Sequence, residues 1–251
     1  NEFMKINVVL TLLLLCVSTI TFAQNKYIIK ANDAYARENY CDAAELCKTA
    51  YSKLTRKGRG AQDKKADMAF KAAECYRQTE RYREANEWYD RAILLEHYND
   101  QPLVYLFNGD MLLKMREFEK AKTNYEKYKA LVPGDSRGAT GIESCNDNSV
   151  YIASKLPYVI ENQASINKPE FDMSPTFDKK GKKFYFGSSR PGVTGKDINP
   201  RSCEPYMDLW ITEVDKKGNW TAPYLVEGDG INTEDDEGTL CFDARGKTMF
   251  F

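Results

Sequence analysis

The sequence predicts a two-part chain in which an α-helical repeat region is followed by antiparallel β-structure. In the first half, an aromatic residue stands three positions before an alanine at three places. In the second half, the stretch FDKKGKKFYF at Phe177 returns as FDARGKTMFF at Phe242. A repeat in sequence indicates a repeat in structure, so each half is predicted to be built from copies of one small unit.

The N-terminal segment 1–23 has the features of a cleavable export signal. A lysine follows Met4, an apolar run extends over 8–17, and small residues stand just before the expected cut after Ala23. The apolar run is too short to span a bilayer stably. We therefore expect a mature chain that begins near Gln24, and we interpret the three residues before Met4 as lying upstream of the start.

Cys16 lies within this segment and raises an alternative, which is attachment of a lipid. Lipoprotein signals place a small residue just before the cysteine, whereas Leu15 stands there. A soluble exported product is therefore favoured over a lipid-anchored one.

The composition excludes one class of partner and leaves the state of the cysteines open. Of the 251 residues, 29% are charged and 42% are apolar, and the formal net charge is −1. Because there is no basic excess, nucleic acid is not expected as a partner. The cysteines that follow the signal permit either disulfides or buried free thiols: Cys41, Cys47, Cys75, Cys145, Cys203 and Cys241.

Three helical hairpins are predicted within 24–145. The aromatic-to-alanine steps begin at Tyr40, Tyr82 and Phe118. Offsets of three and four residues place the recurring positions on one face of a helix. Small residues at a fixed offset before each alanine let two helices approach closely, and four tyrosines take packing positions: Ala31, Ala73 and Gly109, with Tyr76, Tyr89, Tyr105 and Tyr125.

This pattern resembles the tetratricopeptide repeat, a helix-turn-helix unit of about 34 residues. Pro133 stands where that family usually ends its last helix, and 55–62 is predicted to be a loop that lengthens the first step. The resemblance implies a tetratricopeptide-repeat α-solenoid over 24–145, whose concave face holds protein partners.

Residues 146–165 are predicted to be a linker, and β-structure is predicted over 166–251. The stretch 166–177 aligns without a gap on 231–242. Asp-x-x-Gly recurs at three places, which suits a type I turn followed by a left-handed glycine: Asp178, Asp215 and Asp243 begin these turns. Strands are predicted at 173–177, 183–188, 208–214 and 219–226.

Four antiparallel strands in one repeat are typical of a β-propeller blade. The sequence therefore predicts the first blade and a half of a propeller that is truncated at its C-terminal end.

Motifs in the β repeat resemble those of TolB-like propellers. They are Ser174-Pro175, the Asp-x-x-Gly turn and Ser188-Ser189-Arg190. With helical repeats ahead of them, these motifs are similar to those of bacteroidete envelope proteins that carry an OmpA-like domain, including PorE-like components of the type IX secretion system. The resemblance implies a periplasmic protein associated with the outer membrane and the cell wall. Its implied partners are other envelope proteins, bound by the concave face, and peptidoglycan, held by a domain expected beyond Phe251.

No catalytic, cofactor-binding or metal-binding site is predicted. The one histidine, His97, is expected on the surface near the end of a helix. An acidic cluster could offer oxygen ligands to Ca²⁺, but it lacks EF-hand spacing and a solvated loop is favoured: Asp229, Glu234, Asp235, Asp236 and Glu237.

The remaining polar and aromatic groups of the β region are interpreted as structural. Four carboxylates are expected to cap strand ends by accepting backbone hydrogen bonds: Glu170, Asp172, Asp235 and Glu237. Four lysines form a basic patch at a hairpin tip, where charge protects a sheet edge: Lys179, Lys180, Lys182 and Lys183. Trp210 and Trp220 are expected in the core between blades.

These patterns predict a non-enzymatic scaffold that needs no cofactor and binds proteins through its helical and propeller surfaces. Two alternatives stay open. One is a propeller-gated serine peptidase whose catalytic domain lies beyond Phe251, and the other is a TolB-like periplasmic binding module without wall anchoring.

Overall fold

A computed structural model describes residues 26–55, 58–154 and 157–251. The predicted export segment, with Cys16, lies outside the described residues. The chain divides near residue 155 into a helical unit and a β unit, in the order that the sequence predicts. Among the described residues, no helix combines the length and the apolar character needed to cross a bilayer.

The described helices of the helical unit form three hairpins and a final single helix. In chain order they are α1 (26–36), α2 (Tyr40–Lys53), α3 (Arg59–Gln78), α4 (Tyr82–Leu94), α5 (Leu103–Lys114), α6 (Phe118–Leu131) and α7 (Arg137–Ala153), with a short 3₁₀ turn at His97–Asn99. From α2 onward, each helix packs on the next along the chain. This nearest-neighbour packing is that of an α-solenoid.

The three hairpins share one turn. A residue with positive φ follows the first helix of each hairpin, at Glu38, Glu80 and Arg116. The next amide donates to a carbonyl oxygen five residues back: Asn39 to Ala34 at 3.0 Å, Arg81 to Tyr76 at 2.9 Å and Glu117 to Leu112 at 2.8 Å. This is the Schellman bond that satisfies carbonyls at a helix end. Because the turn recurs at the predicted step, the repeat register is confirmed.

The core of the helical unit is built from the predicted small residues and tyrosines. Ala31, Ala73 and Ala85 are fully buried, and Gly109 is buried beside the ring of Tyr125. The four tyrosines predicted to take packing positions are each no more than 7% exposed. Small residues let the backbones approach while the large rings of the neighbouring helix fill the space between them.

Two helix boundaries differ from the prediction. The stretch 55–62 is predicted to be a loop, but α3 already begins at Arg59, after Gly58 in the left-handed region. The helical region is predicted to end at residue 145, but α7 continues to Ala153 and so occupies the first part of the predicted linker 146–165. Packing of α7 against α6 offsets the weak helix propensity of its Asn and Asp residues.

The β unit contains a four-stranded antiparallel sheet and a separate hairpin. The sheet has the order β1 (Asp172–Phe177), β2 (Lys183–Ser188), β3 (Asp208–Glu213), β4 (Tyr224–Leu225), and β5 (Cys241–Phe242) pairs with β6 (Met249–Phe250). The first three strands lie where they are predicted. The fourth is shorter than predicted, because 219–226 forms only an isolated bridge at Trp220 and the two residues of β4.

The three predicted Asp-x-x-Gly turns are confirmed. In each, the glycine has a positive φ and its amide donates to the carbonyl oxygen of the aspartate, at 2.9 Å in the first turn. The Asp178 carboxylate also accepts the amides of Lys182 and Lys183 at 2.7 and 2.9 Å. Asp243 accepts the equivalent amides of Lys247 and Thr248, whereas Asp215 accepts those of Lys217 and Asn219. The glycine-to-carbonyl bond and the bonds to the aspartate carboxylate both depend on an Asp and a Gly at fixed spacing, which the sequence shows directly.

Alternation along the strands divides the sheet into two faces. The aromatic face carries Phe177, Phe184, Phe186, Trp210 and Leu225, and the stacking face carries Thr176, Tyr185, Gly187, Leu209 and Ile211.

The second hairpin lies on the stacking face in repeat register. The Thr176 hydroxyl donates to the carbonyl oxygen of Leu240 at 2.9 Å, and the rings of Tyr185 and Phe242 lie 5.1 Å apart. Ser174 and Thr239, which align in the two copies, both have φ in the left-handed region, at 54° and 58°. The two copies therefore share a backbone kink and stack side by side.

Candidate binding surface

One face of the helical unit joins side chains from all three hairpins, and we call it the first-helix face. It is formed by the first helix of each hairpin, at positions three and four residues apart: Asn32 and Tyr35 on α1, Asp67, Lys71, Glu74 and Arg77 on α3, and Phe107 and Asp110 on α5. Apart from Glu74, which is buried, all of these residues are half-buried.

Lys71 links α1 to α3. Its Nζ donates to Asn32 Oδ1 at 2.7 Å and to Asp67 Oδ2 at 2.9 Å. The ammonium group is thus held by a carboxylate on its own helix and an amide oxygen on the neighbouring one. An ion pair at this depth is screened less than an exposed one.

Glu74 and Arg77 form the centre of the face. Glu74 is 5% exposed, and it accepts bonds from Arg77 Nε at 3.1 Å and Nη2 at 2.7 Å. The hydroxyl of buried Tyr89 on α4 donates to the same carboxylate. Burial, followed by the charge of Glu74, raises the pKa of Tyr89 well above its usual range. The buried carboxylate is therefore fully paired, which a group at this depth requires.

Arg77 also contacts α5 and so extends the first-helix face to that helix. Its guanidinium lies 4.4 Å from the centre of the Phe107 ring, a cation–π contact. On α5, Asp110 accepts a hydrogen bond from the Tyr125 hydroxyl at 2.8 Å. Burial raises the pKa of Asp110 above its ordinary value. Tyr35 stands at the other side of the face, and burial raises its pKa too.

Charges on the first-helix face nearly cancel. Lys71 and Arg77 face the carboxylates of Asp67 and Glu74 at hydrogen-bond distance, and Asp110 adds a third carboxylate, which accepts a hydrogen bond from the Tyr125 hydroxyl. The face therefore presents paired polar groups and aromatic rings, with a surplus of one carboxylate. The i,i+4 and i,i+3 spacings of these pairs are visible in the sequence, but the contacts to Asn32 and Phe107 are not.

His97 lies close to the end of α4, as predicted, with Leu95 and Glu96 between. It is half-buried rather than fully on the surface, because its ring packs on Phe70 at 5.2 Å between centroids. Burial lowers the pKa of His97 below its ordinary value. The burial of His97 could not be predicted, because the contact joins α3 to a turn beyond α4 and no local spacing in the sequence reveals it.

Two members of the acidic cluster, Asp236 and Glu237, accept hydrogen bonds within the loops of the β unit. Asp236 accepts the Met207 amide at 2.8 Å and the Asn199 side-chain amide at 2.7 Å. Glu237 accepts the amide and hydroxyl of Thr233, at 3.1 and 2.5 Å. Within the described residues, no three His, Cys, Asp or Glu side chains are grouped so as to hold a metal ion.

Of the four carboxylates predicted to cap strand ends, Asp172, the first residue of β1, accepts the Lys168 amide at 2.8 Å. Glu237 accepts the Thr233 amide, but both residues lie in a loop and not at a strand end. In the acidic loop, Asp236 rather than Asp235 accepts the backbone amide.

Arg190, singled out as part of the Ser-Ser-Arg motif, is a buried structural cation. It is 4% exposed and donates to Asp172 Oδ1 at 2.6 Å and to the Ile166 carbonyl oxygen at 2.8 Å. Its guanidinium lies 4.6 Å from the Phe186 ring and 5.3 Å from the Trp210 ring. The side chain thus fixes the segment before β1 to the aromatic face.

Two of the four lysines at the first hairpin tip, Lys179 and Lys183, contact polar groups of other strands or turns. Lys183 forms an ion pair with Glu213 at 2.6 Å, and Lys179 Nζ donates to the Ala244 carbonyl oxygen at 3.3 Å.

Of the two tryptophans predicted in the core, Trp210 is 7% exposed and Trp220 is half-buried. Cys47, Cys75 and Cys145 are buried thiols, whereas the Cys241 thiol is exposed.

Comparisons with known proteins give tetratricopeptide-repeat domains at low similarity. No family model and no curated protein matches the chain. The first repeat domain of Spaghetti (RPAP3), solved with the HSP90 peptide SRMEEVD, is 16% identical with a TM-score of 0.41, over 52% of this chain and 94% of that one. The Sgt2 repeat domain from Aspergillus fumigatus is 18% identical with a TM-score of 0.40, over 57% and 90%. The recurring hairpins and their shared turn are what identify the helical unit as an α-solenoid.

Proposed function

We propose that this chain is a non-enzymatic scaffold that binds protein partners on the first-helix face. The observation that carries the proposal is the continuity of that face. Side chains touch across all three hairpins, through Asn32 with Lys71 and through Arg77 with Phe107. Stacked repeats use such continuous surfaces to hold extended segments of other proteins.

The near-cancellation of charge on the face, two cations against three carboxylates, supports a partner segment without a large net charge. A polyanionic segment would have to compete with Asp67 and Glu74 for the two cations that they already bind. The half-buried rings of Tyr35 and Phe107 offer apolar surface with polar neighbours. Aromatic surface of this kind favours apolar or aromatic side chains on the partner.

Photo-crosslinking tests this assignment. A photoreactive amino acid at Gln78 or Lys114, exposed positions four residues after Glu74 and Asp110 and so beside the first-helix face, is expected to crosslink to a partner in cells of the native host. The matched control is the same group at Glu126, which is exposed on the second helix of the third hairpin. Equal crosslinking at all three positions would contradict a role for this face.

For the β unit, we infer a place in a β-propeller. The support is the seating of the second hairpin on the stacking face of the first sheet, in the register of the sequence repeat. The same step applied again would add further copies side by side, which is how blades are arranged. A longer chain with four or more copies of the repeat is expected to give a ring-shaped envelope in small-angle scattering, and an extended envelope would contradict a propeller.

We also propose export to the periplasm and a place at the outer membrane and cell wall, with envelope proteins and peptidoglycan as partners. Support comes from the signal-like segment 1–23 and from the TolB-like and PorE-like motifs, which suggest the type IX secretion system. N-terminal sequencing of the protein from its native cells tests the first step, with Gln24 as the expected first residue. A product that keeps Met4 would contradict cleavage of a signal.

A further inference from the structure

Three consecutive large apolar residues are exposed just before the β unit's first sheet. Tyr158, Val159 and Ile160 are 68%, 85% and 86% exposed. They lie outside any strand, and within the described residues their backbone joins no sheet. A β-branched, aromatic and unpaired stretch of this kind is a template for strand pairing.

Residues 157–161 resemble a second segment of the same chain, which contains β4. Residues 157–161 read PYVIE, and residues 223–227 read PYLVE. Each is followed after a short gap by the same dipeptide, Ile166-Asn167 in one case and Ile231-Asn232 in the other. The copy at 223–227 contains β4, the fourth strand of the sheet. Residues 158–160 therefore have the sequence and the repeat position of a fourth strand.

The pairing of β4 defines what a fourth strand needs. Leu225 stands opposite Trp210 and Tyr224 opposite Ile211, and the Val226 amide donates to the Leu209 carbonyl oxygen at 2.9 Å. Val159 and Tyr158 would take the places of Leu225 and Tyr224. In this chain the edge of β3 is already occupied by β4, so 158–160 needs the third strand of a different repeat.

We propose that 158–160 is a strand that completes the sheet of another copy of the repeat, by antiparallel pairing with the edge of that copy's third strand. The partner surface is a strand with the pattern of β3, in which Trp and Thr alternate with Leu and Ile. Main-chain hydrogen bonds would hold the added strand on the sheet edge, and the side chains on its two faces would fix the register of pairing. The proposal does not depend on the function proposed for the helical unit.

An opened β3 edge in this chain provides the test. The double variant Tyr224→Pro/Val226→Pro removes two amides from β4, because proline cannot donate to a sheet ladder. A fluorescent peptide of residues 157–163 is expected to bind this variant and not the wild-type protein. The same peptide with Val159→Asp is expected to lose binding, because the carboxylate would face the aromatic side of the sheet.

A peptide of residues 223–229 serves as the positive control, since it restores the native strand. Binding of that peptide without binding of 157–163 would overturn the proposal. A second measurement covers the case in which the double variant binds neither peptide. Leu225→Val/Val226→Ile converts β4 to the sequence of 158–160, and it should keep the wild-type hydrogen-exchange protection of β3, whereas Leu225→Asp should lose it. Equal loss in both would show that the segments are not interchangeable and would reject the proposal.

Discussion

Alanine in place of Gly109 or Gly141 is expected to destabilise the helical unit, although alanine usually stabilises a helix. Both glycines lie inside helices, on α5 and α7, and both face the ring of Tyr125, which is 1% exposed. A Cβ added at Gly109 would lie 2.7 Å from the nearest ring atom, and one at Gly141 would lie 2.6 Å from two ring atoms. The ring is held between the two helices and has no room to retreat.

The two effects can be weighed against each other. Glycine to alanine in a helix interior gains about 1 kcal/mol, whereas overpacking a well-packed core costs about 1–3 kcal/mol. We expect a net loss of up to about 2 kcal/mol for each variant, with Gly141→Ala the larger because its contacts are closer. Gly60→Ala is the matched control, because Gly60 is an exposed helical glycine with nothing within 4 Å of an added Cβ. It should gain about 0.5 kcal/mol.

Urea unfolding followed by far-ultraviolet circular dichroism measures these changes. A double-mutant cycle with Tyr125→Leu then isolates the steric contact, because removal of the ring should turn Gly109→Ala into a stabilising change. Stabilisation by Gly109→Ala in the wild-type background would refute the packing argument. The same loss with and without the Tyr125 ring would refute it as well.

Three further outcomes are expected. Ala85→Trp should lower the thermal midpoint of the helical unit, since Ala85 is fully buried and overpacking costs about 1–3 kcal/mol or more; an unchanged melting curve would contradict the repeat register. In native protein, a thiol reagent should modify exposed Cys241 but not Cys47, whose pKa burial raises to about 12; peptide mapping that finds both labelled at equal rates would oppose this. Backbone hydrogen bonds lower the pKa of Asp178 below its ordinary 3.8, so the stability it contributes is present above that value and is lost as the pH falls through the folded-state pKa. An NMR titration of Asp178 that gives the ordinary value would contradict the turn geometry.

Features that depend on local residue types could be predicted from the sequence. The Asp-x-x-Gly turns follow from one side chain and one glycine, and the helical hairpins follow from spacing alone. The shared Schellman turns escaped prediction because Glu38, Glu80 and Arg116 occupy left-handed positions where glycine is the usual signal.

Features that depend on contacts between distant elements could not be predicted. Half-buried His97 packs on Phe70, and Lys71 reaches Asn32 on another helix. The length of α7 is set by its packing on α6, and its own propensity points to an earlier end. On the candidate surface, the ion pairs on α3 have a helical spacing that sequence shows, but the continuity of the face across three helices is a tertiary property.

The repeat register of the β unit has a consequence for how the chain folds. Contacts between the two copies join residues 64 or 65 positions apart, as in Thr176 with Leu240 and Ser174 with Thr239. In the helical unit, by contrast, the helices from α2 onward pack mainly on their neighbours along the chain. Folding rate falls as contacts become more distant in sequence, because the entropy cost of closing the loop comes before the contacts that offset it can form. During synthesis the helical unit should therefore be complete before the second β copy emerges, and the stacking face of the first sheet should stay uncovered until then.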